Sequence, residues 1–279
     1  MEIRAHHIKW GVLLLTSVGT LVGLYFLLAY IVLPLFWQHY EHQRDLAALP
    51  MVTRTATGIP GDPINVGLVG SREDVLCAMN AAGWYPADPI TLRSSIEIVG
   101  SVLLDRPYHE APVSHLYYDN RRQDLAFEKP VGTSADRRNH VRIWRVLEHG
   151  QEGRAVWLGA ATYDRGVGFS HTDARVTHHI GPDIDAERDL LSNDLKAAHV
   201  VQTVYEVTGI GPTLDGRNGG GDRYYTDGDI KISVLVAGCN QRAPSVAVLE
   251  NPPLVAIKNL AWGTIAKSIL AEAIPASQN

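Results

Sequence analysis

The sequence predicts an α+β protein: a mixed, mostly antiparallel sheet with packed helices, preceded by one N-terminal transmembrane helix. Three observations carry that prediction. From Trp10 to Trp37 ("WGVLLLTSVGTLVGLYFLLAYIVLPLFW") no residue bears a formal charge. From Pro112 onward, strand-length runs pair up around turn signals such as Asp119-Asn120 and the segment Gly150 to Gly153. Helical stretches interrupt these pairs without strict βα alternation, which points away from a doubly wound parallel sheet.

The elements follow in chain order. About 20 apolar residues span a bilayer core as a helix, so the uncharged run is long enough even when tilted. Trp10 and Trp37 at its ends, with Tyr25 and Tyr30 inside, suit an aromatic belt, and Pro34 kinks or ends the helix. Bulky Leu33, Leu35, Phe36 and Trp37 occupy the exit where a cleavable leader would carry small residues, so an uncleaved signal anchor is expected. Arg4 and Lys9 precede the run, while Glu41, Arg44 and Asp45 follow it. The positive-inside rule then places residues 1–9 in the cytoplasm, the span at 10–37 and the remainder outside.

Residues 38–63 read as a juxtamembrane segment: a short polar helical extension, then a linker from Thr53 to Pro63 by its Gly, Pro and Thr content. A folded domain over 64–250 opens with the strand "INVGLVG". Ser71 and Asp74 form the pattern of a capping box for a helix running to about Ala82 and stopping at Gly83. A further helix is expected from Thr91 to Leu104. Hairpins follow around Asp119-Asn120, around Gly150 to Gly153, and around Asp173-Ala174. Asp185 to Ala198 reads as a helix with Leu190, Leu191 and Leu195 on its apolar face. Strands near Val200 to Val207 and Ile230 to Ala237 flank a glycine-rich loop. Residues 251–279 form a last helix and tail, and docking on the domain by an apolar stripe is favoured over lying on a membrane surface.

Hydrophobic residues make up 46% and charged residues 20% of the chain, enough apolar material for a sizeable core. The formal net charge is -5 and no Lys/Arg block is present, which excludes nucleic acid as the expected partner. Cys77 and Cys239 are the two cysteines. Two small buried thiols are the favoured reading, with a disulfide as the competitor.

Two segments concentrate chemistry. In "SHTDARVTHHIGPDID", strand alternation sends His178 and His179 to opposite faces, so at most one of them shares a side with His171. Asp183 or Asp185 is placed to cap the following helix. H-E-x-x-H, H-x-H and C-x-x-C spacings are missing, so no metal site is expected, and no spacing names a cofactor. In "LDGRNGGGDRYYTDG", consecutive glycines present backbone N–H groups, with Asp215, Arg217, Asn218, Asp222 and Arg223 around them as candidate ligand-binding residues. "ATYDRGVG" puts Asp164 and Arg165 at an expected strand end before glycines. The candidate catalytic residues are therefore His171, His178, His179, Asp164 and Asp183, and Arg165 joins the ligand-binding set.

"INVGLVGSREDVLCAMNAAGWYPADP", "RPYHEAPVSHLYYDNRRQDLAFEKPVG", "VWLGAATYDRGVGFSHTDARVTHHIGPDIDAERD" and "LDGRNGGGDRYYTDG" together resemble the LssY C-terminal domain, from about Asn65 to Val236. In many relatives that domain follows a multi-span part similar to DedA proteins or type-2 phosphatidic acid phosphatases. The resemblance implies a cell-envelope setting and a lipid-related task. This chain has a single anchor and none of the phosphatase signatures, so phosphatase chemistry does not transfer. The resemblance also implies that Asp164, Arg165, His171, His178, His179, Asp183, Arg217 and Asp222 converge on one site.

Two functions stay open on these grounds. One is an extracytoplasmic binding or assembly module for a polar or anionic envelope ligand, lipid included, working with envelope proteins. The other is a hydrolase acting on a phosphorylated or lipid-linked substrate, with histidine as acid/base. Binding is favoured, because no complete catalytic set is visible in the sequence.

Overall fold

The structure is a computed structural model that describes residues 2–32, 42–87, 115–132, 137–172, 174, 176–207 and 215–274. It divides into two units, Met1–Arg44 and Asp45–Asn279. In the first, α1 (Glu2–Leu27) runs on through a π-helical turn at Leu28–Val32. Its segment Trp10–Val32, 23 residues of mean hydropathy 2.2, is long and apolar enough to cross a membrane. The hydroxyls of Thr16, Ser17 and Thr20 donate to carbonyls one turn back, so their polarity is satisfied within the helix. The expected extension of the span to Trp37, and the expected helix from Thr91 to Leu104, lie outside the described residues.

A short 3-10 turn (Arg44–Ala48) leads into the second unit, whose first strands are a hairpin of β1 (Val52–Arg54) and β2 (Pro60–Pro63). This corrects the reading of Thr53 to Pro63 as a linker. Gly58 takes a positive φ in the turn, and a Cβ on Gly61 would lie 2.6 Å from the Thr53 hydroxyl. The small residues are there for a tight turn and a close strand approach, not for flexibility. Next come β3 (Val66–Val69), α2 (Arg72–Ala81) and β4 (Tyr85–Pro86). The Ser71–Asp74 capping box forms as expected, and Gly83 follows the helix at φ 77. A tight turn at Asp119 and Asn120, both with positive φ, joins β5 (Tyr117–Tyr118) to β6 (Arg121–Arg122).

The long strands are β7 (Leu125–Pro130), β8 (Arg138–Leu147) and β9 (Val156–Phe169), followed by β10 (Val176–Ile180) and α3 (Ile184–Ala197). β11 (Val201–Val207), the small hairpin of β12 (Asp215–Arg217) and β13 (Arg223–Tyr225), then β14 (Ile230–Leu235) and β15 (Ala247–Val248) complete the strands. The chain closes with α4 (Pro253–Ala261), a π-helical turn and α5 (Lys267–Glu272). The main sheet has the order β15-β11-β14-β3-β9-β8-β7-β4, with β10 also on β9, and β2-β1-β5-β6 form a smaller one. Only β14–β3 and β11–β15 are parallel among the described pairs, so the fold is α+β and mostly antiparallel.

Strand alternation divides the core. Val141, Ile143, Trp157 and Ala161 pack under α2 and α3 against Met79 and Leu191. Trp144, Leu158 and Ile232 point the other way and are covered by Leu46, Leu116 and Tyr118. Cys77 and Cys239 form a disulfide across a separation of 162 residues, with Cα atoms 5.2 Å apart, which corrects the expectation of two free thiols. The terminal helix docks: Trp262 is buried beside Tyr225 and Ile274, and Lys267 pairs with Asp183 at 2.8 Å.

Candidate functional site

On the face covered by the small sheet, β8 changes character. Trp144 belongs to the apolar core, but Arg142, His140 and Arg138, at successive alternate positions, are all buried. Their neighbours across β9 are Ala160, Thr162 and Asp164. Arg138 donates from Nε to Asp164 Oδ2 at 3.1 Å and from Nη1 to Glu128 Oε2 at 2.8 Å. Arg142 donates to Asp62 Oδ2 at 3.1 Å and to His140 Nε2 at 2.6 Å, where the Thr162 hydroxyl also lies within 2.9 Å. With Nε2 accepting, the proton of neutral His140 sits on Nδ1. That nitrogen lies 3.1 Å from Asp164 Oδ1, too oblique for a well-formed hydrogen bond.

Asp62, Arg138, His140, Arg142 and Asp164 line a cavity of about 240 Å³ that also takes in His178 and Asn218. Burial pushes His178 down to about 4, helped by Arg138, His140 and Arg142 and opposed by Asp164. Its Nε2 is buried with no hydrogen-bond partner among the described residues. Burial also lowers His140. Burial alone would raise Asp164, but His140, His178 and Arg138 hold its carboxyl well below the usual range.

A β-bulge aims the residues. On β9, Ile180 of β10 faces Asp164 while His179 faces Gly166, leaving Arg165 as the extra residue. Asp164 therefore stands inside a strand that runs on to Phe169, not at a strand end as the glycines suggested, because β10 continues the ladder. The Arg165 guanidinium donates to the Ile180 carbonyl at 3.1 Å.

His179 faces away from His178, as alternation requires. Its Nδ1 donates to Asp222 Oδ1 at 2.8 Å, and Asp222 Oδ2 accepts from the Ile180 backbone at 3.1 Å. His171 Nε2 lies 3.7 Å from Asp222 Oδ1, and the two imidazole centroids are 5.2 Å apart. The glycine loop is tied by its own polar groups: Asn218 Oδ1 accepts from Gly220 and Asp222, and its Nδ2 reaches Asp62 at 3.4 Å.

The eleven candidates thus divide, and so do the eight of them that the family resemblance implied would share one site. Asp164, His178 and Asn218 line the cavity. His171, His179, Asp222 and Arg165 gather behind it. Asp183 is the N-cap of α3, accepting from Ala186 N. Asp215 and Arg223 pair within their hairpin at 2.8 Å, and Arg217 donates to Gly221 O at 2.7 Å. Sequence reading missed Arg138, His140, Arg142 and Asp62. The first three were legible as R-x-H-x-R on an expected strand; Asp62 was hidden by the linker reading.

No curated protein and no solved structure matches the chain. One family model does, described as LssY C-terminus, and it starts at residue 46 and ends at residue 230, enclosing both histidine clusters and the hairpin beside them. A match over more than half of the 279 residues settles the kinship that the motifs suggested: the chain belongs to the LssY C-terminus family.

Proposed function

We propose that this chain is a membrane-anchored, extracytoplasmic binding module whose β8–β10 cavity takes a polar envelope ligand. The observation that carries the reading is the cavity wall itself. A buried ion pair is often no more stabilising than apolar residues of similar volume, so folding alone does not call for Arg138, Arg142, Asp62, Asp164 and Glu128 in one place. Arg138, Arg142, Asp62 and Asp164 line the cavity together with His178, and Glu128 braces Arg138 from behind, so the lining offers donors and acceptors to a bound molecule. Two guanidiniums stand against three carboxylates and the imidazoles are held neutral, which favours an uncharged or zwitterionic ligand over a multiply charged anion.

Catalysis by a hydrolase fits less well. A general base works best with a pKa near the operating pH. His178 is pushed down to about 4, and His140 Nε2 is already engaged by Arg142 and Thr162. For location, the support is the basic flank of Arg4 and Lys9 and the Cys77–Cys239 disulfide, which persists in oxidising compartments. Alkaline phosphatase fused after Ser277 should be active; an inactive fusion reverses the orientation.

The binding reading is tested by extracting the small molecules held by the detergent-purified full chain and comparing them by mass spectrometry with those of His178→Leu. A polar molecule enriched on the unaltered chain and lost from the variant is expected. The same set on both proteins would sink the reading.

A further inference from the structure

Behind the cavity, His171, His179 and Asp222 each present one donor atom, and these atoms lie within 4.8 Å of one another. We propose that they form a binding site for a divalent transition ion of the zinc class, with its fourth position open. The proposal stands apart from the cavity ligand, since His179 and His178 face opposite sides of β10.

The distances fit the ion. Zinc holds imidazole nitrogen and carboxylate oxygen at about 2.0–2.2 Å in a tetrahedron, which sets neighbouring donors roughly 3.3 Å apart. Asp222 Oδ1 stands 2.8 Å from His179 Nδ1 and 3.7 Å from His171 Nε2, on either side of that edge. Shifts of about half an ångström bring these two edges to length, and rotation of the exposed His171 side chain closes the third, His171 to His179, from within 4.8 Å. Zinc would replace the His179 Nδ1 proton, so the present hydrogen bond gives way to coordination.

The surroundings hold the three groups in place. Asp222 is buried, and the Ile180 N–H on its Oδ2 turns Oδ1 toward the imidazoles, as an outer-shell hydrogen bond does for a metal-bound carboxylate. Two glycines make room. A Cβ on Gly168 would stand 2.5 Å from His179 Nε2, and one on Gly221, at φ +87, would stand 2.8 Å from His171 Cβ. The His171 side chain is 52% exposed, which leaves the fourth position to water or an incoming ligand, the pattern of three protein ligands plus an open site. Arg165 Nη2, 3.9 Å from Asp222 Oδ1, is the one opposing charge near this oxygen among the described residues, and its Nε is bonded to the Ile180 carbonyl.

The test uses the full chain in detergent, stripped by chelator and then dialysed against micromolar zinc(II), with bound metal measured by elemental analysis. One zinc per chain is expected, with a zinc-dependent rise in Tm and, on cobalt(II) substitution, a tetrahedral visible spectrum. His171→Ala removes an exposed ligand and leaves the Asp222–His179 contact, so the metal-free variant should melt where the metal-free unaltered chain does. Its zinc affinity should fall at least roughly tenfold to a hundredfold, the range that even outer-shell changes produce. The cobalt spectrum should vanish with it and in His179→Ala as well, although the latter also loses the Asp222 contact and should melt lower without metal. The proposal is overturned if the unaltered chain takes up no zinc, or if His171→Ala binds zinc as tightly as the unaltered chain does.

Discussion

His178 and His179 are neighbours in sequence and opposites in setting. His178 lines a cavity whose buried charges come from β8, β9 and the β1–β2 hairpin, and its Nε2 has no hydrogen-bond partner among the described residues. His179 looks the other way, onto a loop, and is paired at 2.8 Å with a carboxylate 43 residues later. One side is a network of fixed ion pairs around a space; the other is three side chains, from β10, the turn after β9 and the glycine loop, gathered at one point. The contrast teaches that a histidine's chemistry is set by which distant strands bring it partners, and the local text "THHI" is the same for both.

The largest effect is expected where the cavity wall is cut. Arg138, 2% exposed, serves Glu128 and Asp164 at once. Arg138→Met leaves two buried carboxylates without it, and removing one partner of a buried ion pair costs about 3–5 kcal/mol. Denaturant unfolding of the full chain should register a loss of that size, and the double variant Arg138→Met/Glu128→Gln should recover part of it. A loss below about 1 kcal/mol would mean that the wall is not the rigid half of the comparison.

A middle-sized effect concerns pH. The folded pKa of His178 is about 4, below the ordinary histidine value of 6.5, so its stabilising contribution is fully present above pH 6.5. As pH falls from 6.5 toward 4 the unfolded chain gains a proton that the folded chain refuses, and that contribution is lost. Between pH 7.5 and 5 the loss is on the order of 1–2 kcal/mol, because each pH unit crossed between the two pKa values is worth about 1.4 kcal/mol. Burial raises Asp185 and Asp229 to about 6 and Glu187 to about 7, and these act in the opposite sense, losing stability as pH rises through those values. The difference between the unaltered chain and His178→Gln isolates the histidine. Melting curves over this range should run flatter toward acid in the variant, and parallel curves would contradict the buried, neutral assignment.

Much of the fold was legible because its signals are local. The capping box of Ser71 and Asp74, the Asp119-Asn120 turn and the alternation in "VTHHI" all act within a few residues, and each appears as read. What was not legible depends on pairing across the chain. β9 meets β3 through its first half and β10 through its second, and no residue within "VWLGAATYDRGVGF" announces both. Charged residues are almost never fully buried unless paired, so Arg138 and Arg142 read as an exposed strand face until Asp164 and Asp62 arrive opposite them. The disulfide had no local signature either, because Cys77 and Cys239 meet only after β14 returns beside β3.

The smallest effect is expected at Arg217, which sequence reading placed among the ligand-binding residues. Its side chain is exposed and donates to Gly221 O within its own loop, at 2.7 Å. The loop does not rest on that bond. Asn218 Oδ1 receives the Gly220 and Asp222 N–H groups, and the Asn218 N–H donates to the Asp222 carbonyl at 2.9 Å. Exposed substitutions away from such features change stability by less than about 0.5 kcal/mol, so Arg217→Ala should melt within a degree or two of the unaltered chain. Retention of the extracted polar molecule should be unchanged as well, because Arg217 does not line the cavity. If Arg217→Ala keeps its stability but loses that molecule while His178→Leu keeps it, the ligand sits on the loop side of β10. The roles of the two histidine faces would then be exchanged.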